Sequence, residues 1–218
     1  MREVFHEQLD AVVADLVTMT KLVGAATESA TQSLLSADIG LAEAVIAGDD
    51  AVDEMRQRIE DQAVEVLARQ QPVAGDLRTL VAALRMAADL ERGGDYAVHV
   101  AKLARLRYPE SAVPGQLHGN IIRMATLAVE MLAAAALVVE TRDAEGALAL
   151  EDQDDEMDML RRTQFRLLLD VGRQHGTEAA VDVALLGRYY ERIADRAVSL
   201  ARRVFYLVTG EPFPRAPV

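Results

Sequence analysis

The sequence predicts an all-α protein, and three observations carry that prediction. Apolar residues make up 51% of the 218-residue chain, yet aromatic residues contribute only 4% and tryptophan is absent. Alanine, leucine, arginine and glutamate dominate, which is the composition of closely packed helices. Apolar residues recur at spacings of three and four through long segments that few glycines or prolines interrupt, and this is the period of a helix.

Six long helices are predicted, in two sets of three. The first set is predicted at residues 3–36, 41–69 and 76–107. A short break is expected at 38–40, an interruption near Gly48, and a cap on the third helix from the side chain of Asp76. Because short turns favour antiparallel neighbours, the three helices should form one bundle.

A segment with two prolines and two glycines follows, and the helical pattern then starts again. The second set is predicted at 119–141, from about 146 to 172, and at 177–208, with a break over Gly172 to Gly176. The predicted organisation is a first three-helix repeat at 1–108, a linker at 109–118, a second three-helix repeat at 119–209 and an irregular tail at 210–218. The fold expected is two tandem three-helix bundles.

One motif occurs in both halves at an offset of 100 residues. Residues 91–101 read ERGGDYAVHVA and residues 191–201 read ERIADRAVSLA, so Glu, Arg, Asp, Ala, Val and Ala recur in place. Each copy carries two carboxylates at i and i+4, which lie on one face of a helix. Like charges at that spacing repel each other, and their repetition in both halves requires an explanation.

The second helix of each half supplies further carboxylates. Asp49-Asp50 is followed by Asp53, and Asp154-Asp155 by Asp158. Two all-oxygen ligand sets are therefore possible: Glu91 and Asp95 with Asp53 or Asp50, and Glu191 and Asp195 with Asp158 or Asp154. Hard oxygen ligands suit Mg²⁺, Mn²⁺, Ca²⁺ or iron. A solvated acidic face explains the same residues, and the sequence leaves both interpretations open.

Composition excludes several functions. The net charge of −12 disfavours binding to nucleic acid or to anionic lipid, and the absence of cysteine excludes disulfides and thiolate metal sites. The N-terminus has no signal-peptide core, and the longest apolar run, Met131 to Val139, is too short to span a bilayer. We therefore predict a cytoplasmic protein. With no nucleophile motif and no phosphate-cradling glycine loop, it is predicted not to be an enzyme.

The motifs ERGGD and ERIAD resemble the E(D)xxxD signature of the PhoU family, the accessory proteins of phosphate-specific transport. The resemblance extends over the whole chain through DDAVD, DDEMD and the DLR at 76–78. It implies two three-helix bundles related by pseudo-twofold symmetry, and iron, zinc, manganese or magnesium ions at the carboxylate motifs. The ligands it implies are Glu91, Asp95, Glu191 and Asp195, with Asp53 and Asp158 in support.

The resemblance also implies a function. Family members are negative regulators of phosphate uptake and of the phosphate-starvation response, they link the phosphate ABC transporter to a sensor histidine kinase, and they often form homodimers. A protein of this kind reaches the membrane only through its partners. The sequence departs from the family pattern at Gly93, Tyr96, Ala194 and Arg196, and Arg196 is expected to neutralise the second carboxylate pair.

Two alternatives stay open on the sequence. One is a carboxylate-bridged metalloenzyme of ferritin-like type, for which Glu3 and His6 supply one Glu-x-x-His where two on facing helices are needed. The other is a structural helical adaptor whose acidic faces are only solvated.

Overall fold

The structure, a computed structural model, describes the backbone of residues 2–214 and the side chains of residues 5–214. Over the described backbone the chain is helical and has no β-strand. The helices are α1 (Arg2–Ser36), α2 (Ile39–Ala47), α3 (Asp49–Gln70), α4 (Ala74–Arg107), α5 (His118–Thr141), α6 (Ala144–His175) and α7 (Thr177–Thr209), with a short 3-10 turn at Gly115–Leu117 before α5.

The first half follows the predicted pattern, with the second helix split in two. Asp38 caps α2 by accepting a hydrogen bond from the Leu41 N–H at 3.0 Å, and Gly48 separates α2 from α3. The expected cap from Asp76 is wrong. α4 already begins at Ala74 and has no side-chain cap, so Asp76 lies inside the first turn, where its charge still favours the helix dipole.

The second half contains one longer helix than expected. The break expected over 172–176 is wrong, because α6 continues through Gly172 and ends at His175. Only Gly176, with φ of 89°, has the left-handed backbone that ends the helix. Between the halves, the residues predicted as a linker pack into the protein, since Ala112, Val113 and Leu117 are all buried. The domain boundaries themselves stay a prediction.

The two three-helix bundles share one continuous apolar core. α1 packs on α4 and α5, and α7 packs on α4 and α5, so these four helices join the halves. The pair α2 and α3 covers α1 and α4, while α6 covers α5 and α7. The Tyr190 hydroxyl, fully buried, hydrogen-bonds the Thr31 hydroxyl at 2.9 Å across the two halves. Alanine-rich faces let the helices approach closely.

One helical stretch of the described chain, Gly115–Thr141, is long and apolar enough by length and composition to cross a membrane. More than half of its most apolar window is buried within the fold. Met124, Met131 and Leu132 from this helix lie in the core against α1 and α7. Burial in a helical core therefore accounts for its hydropathy.

α4 and α7 contact each other at two junctions that correspond under the 100-residue offset but differ in chemistry. At the polar junction, the carboxylate of Asp89 on α4 accepts hydrogen bonds from α7: Arg196 at 3.0 Å, Arg203 at 2.7 Å and Ser199 at 2.8 Å. At the aromatic junction, the ring of Tyr189 on α7 stacks on the rings of Tyr96 and His99 on α4, with centroids 6.1 Å and 5.3 Å apart. At the polar junction position 89 of α4 faces positions 196 and 199 of α7, and at the aromatic junction position 189 of α7 faces positions 96 and 99 of α4.

Candidate metal centres

The first carboxylate cluster lies where the start of α3 packs on the middle of α4. Glu91 and Asp95 come from α4, and Asp49 and Asp53 come from the first two turns of α3. Burial raises the pKa of the Glu91 carboxyl, and the negative charges of Asp95 and Asp53 raise it further. Burial and the charges of Asp95 and Asp53 likewise raise the pKa of Asp49. Asp53 and Asp95 are therefore close enough to repel both Glu91 and Asp49.

Few cations offset this repulsion in the first cluster. Arg56 on α3 places its Nη1 3.3 Å from Glu91 Oε1, while its Nε donates to Glu60 at 2.9 Å. The positive charge of Lys102 lowers the pKa of Asp49, but it does not reverse the upward shift. The cluster keeps an excess of negative charge that a bound cation would relieve.

Two glycines of the first motif lie at close contacts between helices. A Cβ on Gly94 would lie 3.2 Å from Val52 Cγ1 and 3.6 Å from Asp49 Oδ1, so α3 approaches α4 at this point. A Cβ on Gly93 would lie 3.2 Å from Val23 Cγ1 of α1. The second motif has Ile193 and Ala194 at these positions, both fully buried. Gly94 therefore lets Asp49 of α3 lie next to the motif carboxylates, whereas Gly93 lets α1 pack closely on α4.

In the second half, arginines bind the motif carboxylates. Glu191 accepts a hydrogen bond from Arg161 at 3.1 Å and pairs with Arg188 at 2.8 Å. Asp195 accepts from Arg192 on its own helix at 3.0 Å. The second motif is therefore largely neutralised by its own helix and by α6, which makes it a weaker cation site than the first.

The expectation that Arg196 neutralises the second motif is wrong. Arg196 lies one residue beyond Asp195, which turns its side chain about 100° around the helix and away from α6. Its Nη1 pairs instead with Asp89 of α4 at 3.0 Å. Arg192, which follows Glu191, pairs with Asp195 on its own helix at 3.0 Å.

The predicted ligands come together only in part. Asp53 joins Glu91 and Asp95, whereas Asp158 is exposed and pairs loosely with Arg162 at 3.6 Å. Asp154 is the α6 carboxylate that faces Asp195, and sequence reasoning left it as one of two choices. Among the described side chains, no three histidines, aspartates or glutamates lie close enough together, as placed, to hold a metal ion. His6 of the single Glu-x-x-His is exposed on α1, so the ferritin-like alternative gains no support.

Asp49 was not among the ligands chosen from the sequence. Its spacing of four from Asp53, the same i and i+4 as in the motif itself, is the signal that places both on one face of α3. The buried Asp89 was also missed, because nothing near it in the chain shows that its partners lie more than 100 residues away.

The fold and these acidic centres define a two-repeat, all-helical protein with one carboxylate cluster in each repeat. The family model described as the PhoU domain matches residues 16–104 and again 121–204. The chain belongs to the PhoU family.

Relatives and solved structures agree with this assignment over nearly the whole chain. The chain is 47% identical over 210 residues to phosphate-specific transport system accessory protein PhoU homolog 2 of Mycobacterium tuberculosis, covering 96% of this chain and 99% of the relative. It is 46% identical to PhoU homolog 1 of Mycobacterium leprae, covering 98% and 96%. The crystal structure of PhoU from Pseudomonas aeruginosa superposes with a TM-score of 0.89 at 30% identity, covering 95% of this chain and 100% of that one.

The charge of Asp154 should make stability depend on pH. Burial, then the charges of Asp195 and Asp158, raise the pKa of Asp154 from 3.8 to about 6. The folded protein therefore holds a proton that the unfolded chain releases, and stability falls as pH rises from about 4 to about 6. Allowing for solvent screening, Asp154→Asn should raise the free energy of unfolding by about 1–2 kcal/mol above pH 6 and change it little below pH 4.

Urea unfolding followed by circular dichroism at pH 4, 5, 6 and 7.5 measures this difference. Asp155→Asn is the matched control, since Asp155 is an exposed carboxylate on the same helix. A difference between Asp154→Asn and the unsubstituted protein that stays constant with pH would contradict the prediction.

Proposed function

We propose that this protein is the accessory protein of a phosphate-specific transport system and regulates phosphate transport. The observation that carries the proposal is the similarity over the full chain to relatives whose names state that role, at 47% identity and with 99% of the relative covered. The shared fold supports it, since the whole two-repeat architecture is retained with the TM-score of 0.89.

The regulation we propose is negative. The protein would lower phosphate uptake and the phosphate-starvation response by linking the phosphate ABC transporter to a sensor histidine kinase. It would act in the cytoplasm as a homodimer, by docking rather than by catalysis, and would meet the membrane only through these partners. The family resemblance of the two motifs supports this finer account, and a docking mechanism requires that the partners bind one conformation or one surface in preference to another.

Complementation tests the role directly. In a bacterium that lacks its own PhoU-family gene, expression of this chain should restore repression of a phosphate-starvation reporter in phosphate-rich medium. The transporter subunits and the kinase should co-purify with it from detergent-solubilised membranes. A folded, well-expressed protein that neither represses the reporter nor retains these subunits would refute the proposal. Sedimentation velocity on the purified protein separately tests the homodimer.

We further propose that the carboxylate clusters bind iron, zinc, manganese or magnesium ions, and that the first cluster binds them more tightly. Asp49, Asp53, Glu91 and Asp95 would hold the ion, whose charge would relieve the repulsion that raises the pKa values of Asp49 and Glu91. The donor set fits, since all four side chains offer oxygen and each lies about one turn from a partner on the same helix, Asp49 with Asp53 and Glu91 with Asp95. Small rotations of the exposed Asp53 and Asp95 would be needed to close the site.

Metal content and affinity test this proposal. We expect Glu91→Gln with Asp95→Asn to weaken Mn²⁺ binding, measured by titration calorimetry, by about tenfold or more. Elemental mass spectrometry of the untagged protein should show a matching loss of metal. Asp61→Asn with Glu65→Gln is the matched control, because these residues form another i, i+4 acidic pair on α3. Equal metal binding by both double variants would show that the motif carboxylates are not ligands.

A further inference from the structure

One cavity among the described residues lies away from the first carboxylate cluster. It has a volume of about 840 Å³ and is open on one side. Its walls come from the first half of α4, the second half of α7 and the segment after α7, with Asp154 of α6 at its margin. A volume of this size is within the range of pockets that hold small organic ligands.

Five arginines line this cavity, although the protein as a whole carries a net charge of −12. They are Arg78 and Arg85 on α4, and Arg196, Arg202 and Arg203 on α7. Arg78 and Arg85 are seven residues apart and so lie on one face of α4, two turns from each other. Two helices therefore direct guanidinium groups at one space.

Most of these guanidinium groups are not fully neutralised. Arg196 and Arg203 share a single carboxylate, that of Asp89. Among residues 5–214, no carboxylate lies within 4.0 Å of Arg78 or Arg85, and both side chains are exposed. Positive charge held together without counter-charge is unfavourable, and it attracts a multiply charged anion.

The remaining acidic and basic groups do not cancel this excess. Arg202 is bound by Glu151, with its Nη2 2.7 Å from Oε1. Asp195 at the edge of the cavity is bound by Arg192, which does not line it. Asp154 is the one carboxylate at the margin without an arginine partner of its own within 4.0 Å among the described side chains.

The rest of the cavity lining is apolar and partly aromatic, and it lies beside the arginines on the same helices and on the segment after α7. Leu77 and Val81 on α4 are 39% and 37% exposed, and Tyr206 on α7 is 44% exposed. Phe213 folds back from the segment after α7 and meets the ring of Phe205 edge to face, with centroids 5.2 Å apart. Exposed apolar groups of this size beside a cavity suit a ligand with a flat apolar body.

We propose that this cavity binds an organic phosphate, a phosphate ester carried on an aromatic or apolar body. A phosphate ester has three peripheral oxygens and up to two negative charges, so it can accept from guanidinium groups on two helices at once and offset more positive charge than a carboxylate with one negative charge. The body of the ligand would pack on Val81, Tyr206 and Phe213. This inference is independent of the transport role proposed above, because it concerns the isolated protein.

Three probes separate the contribution of the phosphate group from that of the aromatic body. Titration calorimetry with the full chain compares phenyl phosphate, inorganic phosphate and phenol under one buffer condition. Phenyl phosphate carries both the charge and the ring, whereas each of the others carries one of them. We expect phenyl phosphate to bind at least about tenfold more tightly than inorganic phosphate or phenol, because only it can contact both the arginines and the apolar side chains of the cavity.

Variants of the wall then locate the site. Arg78→Gln and Arg85→Gln should each weaken phenyl phosphate binding by about tenfold, the effect of losing one charge-assisted hydrogen bond. Asp154→Asn should strengthen it several-fold, since a negative charge leaves the margin. Arg166→Gln is the matched control, because Arg166 is an exposed arginine on α6 about 18 Å along the helix axis from Asp154, the α6 residue that lines the cavity. Circular dichroism checks that each variant is folded.

Two outcomes would overturn the proposal. If phenyl phosphate binds no more tightly than inorganic phosphate and phenol, the cavity has no site for an organic phosphate. If phenyl phosphate binds more tightly than both, but the folded Arg78→Gln and Arg85→Gln variants bind it with the same affinity as Arg166→Gln, the ligand binds elsewhere. Either result would leave complementation by the same chain unaffected, so failure here is distinct from failure of the regulatory role.

Discussion

Asp89→Ala is expected to lower the free energy of unfolding by about 3 kcal/mol at pH 7, because it leaves two partly buried arginines without their shared partner. Asp89 is 6% exposed and lies at the polar junction between α4 and α7. Burial alone would raise the pKa of its carboxyl, but hydrogen bonds from Arg203 and Ser199 and the charges of Arg203 and Arg196 outweigh burial and lower the pKa below 3.8. The carboxylate is thus ionised and fully bonded in the folded protein.

A surface ion pair of the same length is the control for Asp89. Glu65 and Arg69 on α3 also approach to 2.7 Å, but their side chains are 47% and 71% exposed. Glu65→Ala should therefore cost less than about 0.5 kcal/mol, because water replaces the lost partner. The comparison sets a buried carboxylate with three partners against an exposed carboxylate with one, at the same shortest distance.

Two measurements check the origin of the effect. Because the pKa of Asp89 is lowered on folding, its contribution is complete above about pH 4 and is lost as pH falls through the folded-state value. The difference in free energy of unfolding between Asp89→Ala and the unsubstituted protein should therefore be constant above pH 5 and become smaller at acidic pH. Asp89→Ala and Arg203→Ala together should lower the free energy of unfolding by less than the sum of the two single losses, and the shortfall should be at least about 1 kcal/mol. Additive losses would show that the two side chains do not act as a pair.

Gly187→Ala should lower the free energy of unfolding by about 2–3 kcal/mol, although alanine is the better helix former. Gly187 on α7 faces the side chain of Gln164 on α6, which is fully buried. A Cβ there would lie 2.6 Å from Gln164 Nε2, so the amide must move. Moving it breaks the hydrogen bonds from Nε2 to the Val183 carbonyl at 2.9 Å and from Arg161 to Oε1 at 2.8 Å.

The control for Gly187 is Gly24 on α1, where a Cβ would have no atom within 4 Å. Gly24→Ala should raise stability by about 0.5–1 kcal/mol, from helix propensity alone. Thermal and urea unfolding measure both variants. If the clash with Gln164 is the cause, Gly187→Ala should add little further loss to a protein that already carries Gln164→Ala. A full additional loss in that background would contradict this explanation.

The helices could be predicted closely because their signals are local. The periodic apolar pattern places α1 and α7 within a residue or so of where they lie, and Gly48 divides the second helix as expected. Gly172 and Gly176 look alike in the sequence, but only the second adopts a positive φ, and the first is tolerated inside α6. Which of the two glycines ends the helix therefore depends on how the following residues pack.

The candidate site could be predicted only within single helices. The i, i+4 spacing places Glu91 with Asp95 and Glu191 with Asp195 on common faces, and the acidic start of α3 supplies Asp53. The sequence could not show that Arg161 binds Glu191, or that Arg196 crosses to Asp89, because those partners are set by how separate helices pack. The arginine-lined cavity is of the same kind, since α4 and α7 are far apart in the chain.

The exchange of chemistry between the polar and aromatic junctions makes the two repeats interdependent. A chain built from two copies of the first half would set a buried aspartate against a tyrosine and a histidine at both junctions, with no arginine to bind it. Two copies of the second half would set a tyrosine against unpaired arginines. The two repeats therefore complement each other at these junctions, so self-association of either half alone could not reproduce the contacts of the whole chain.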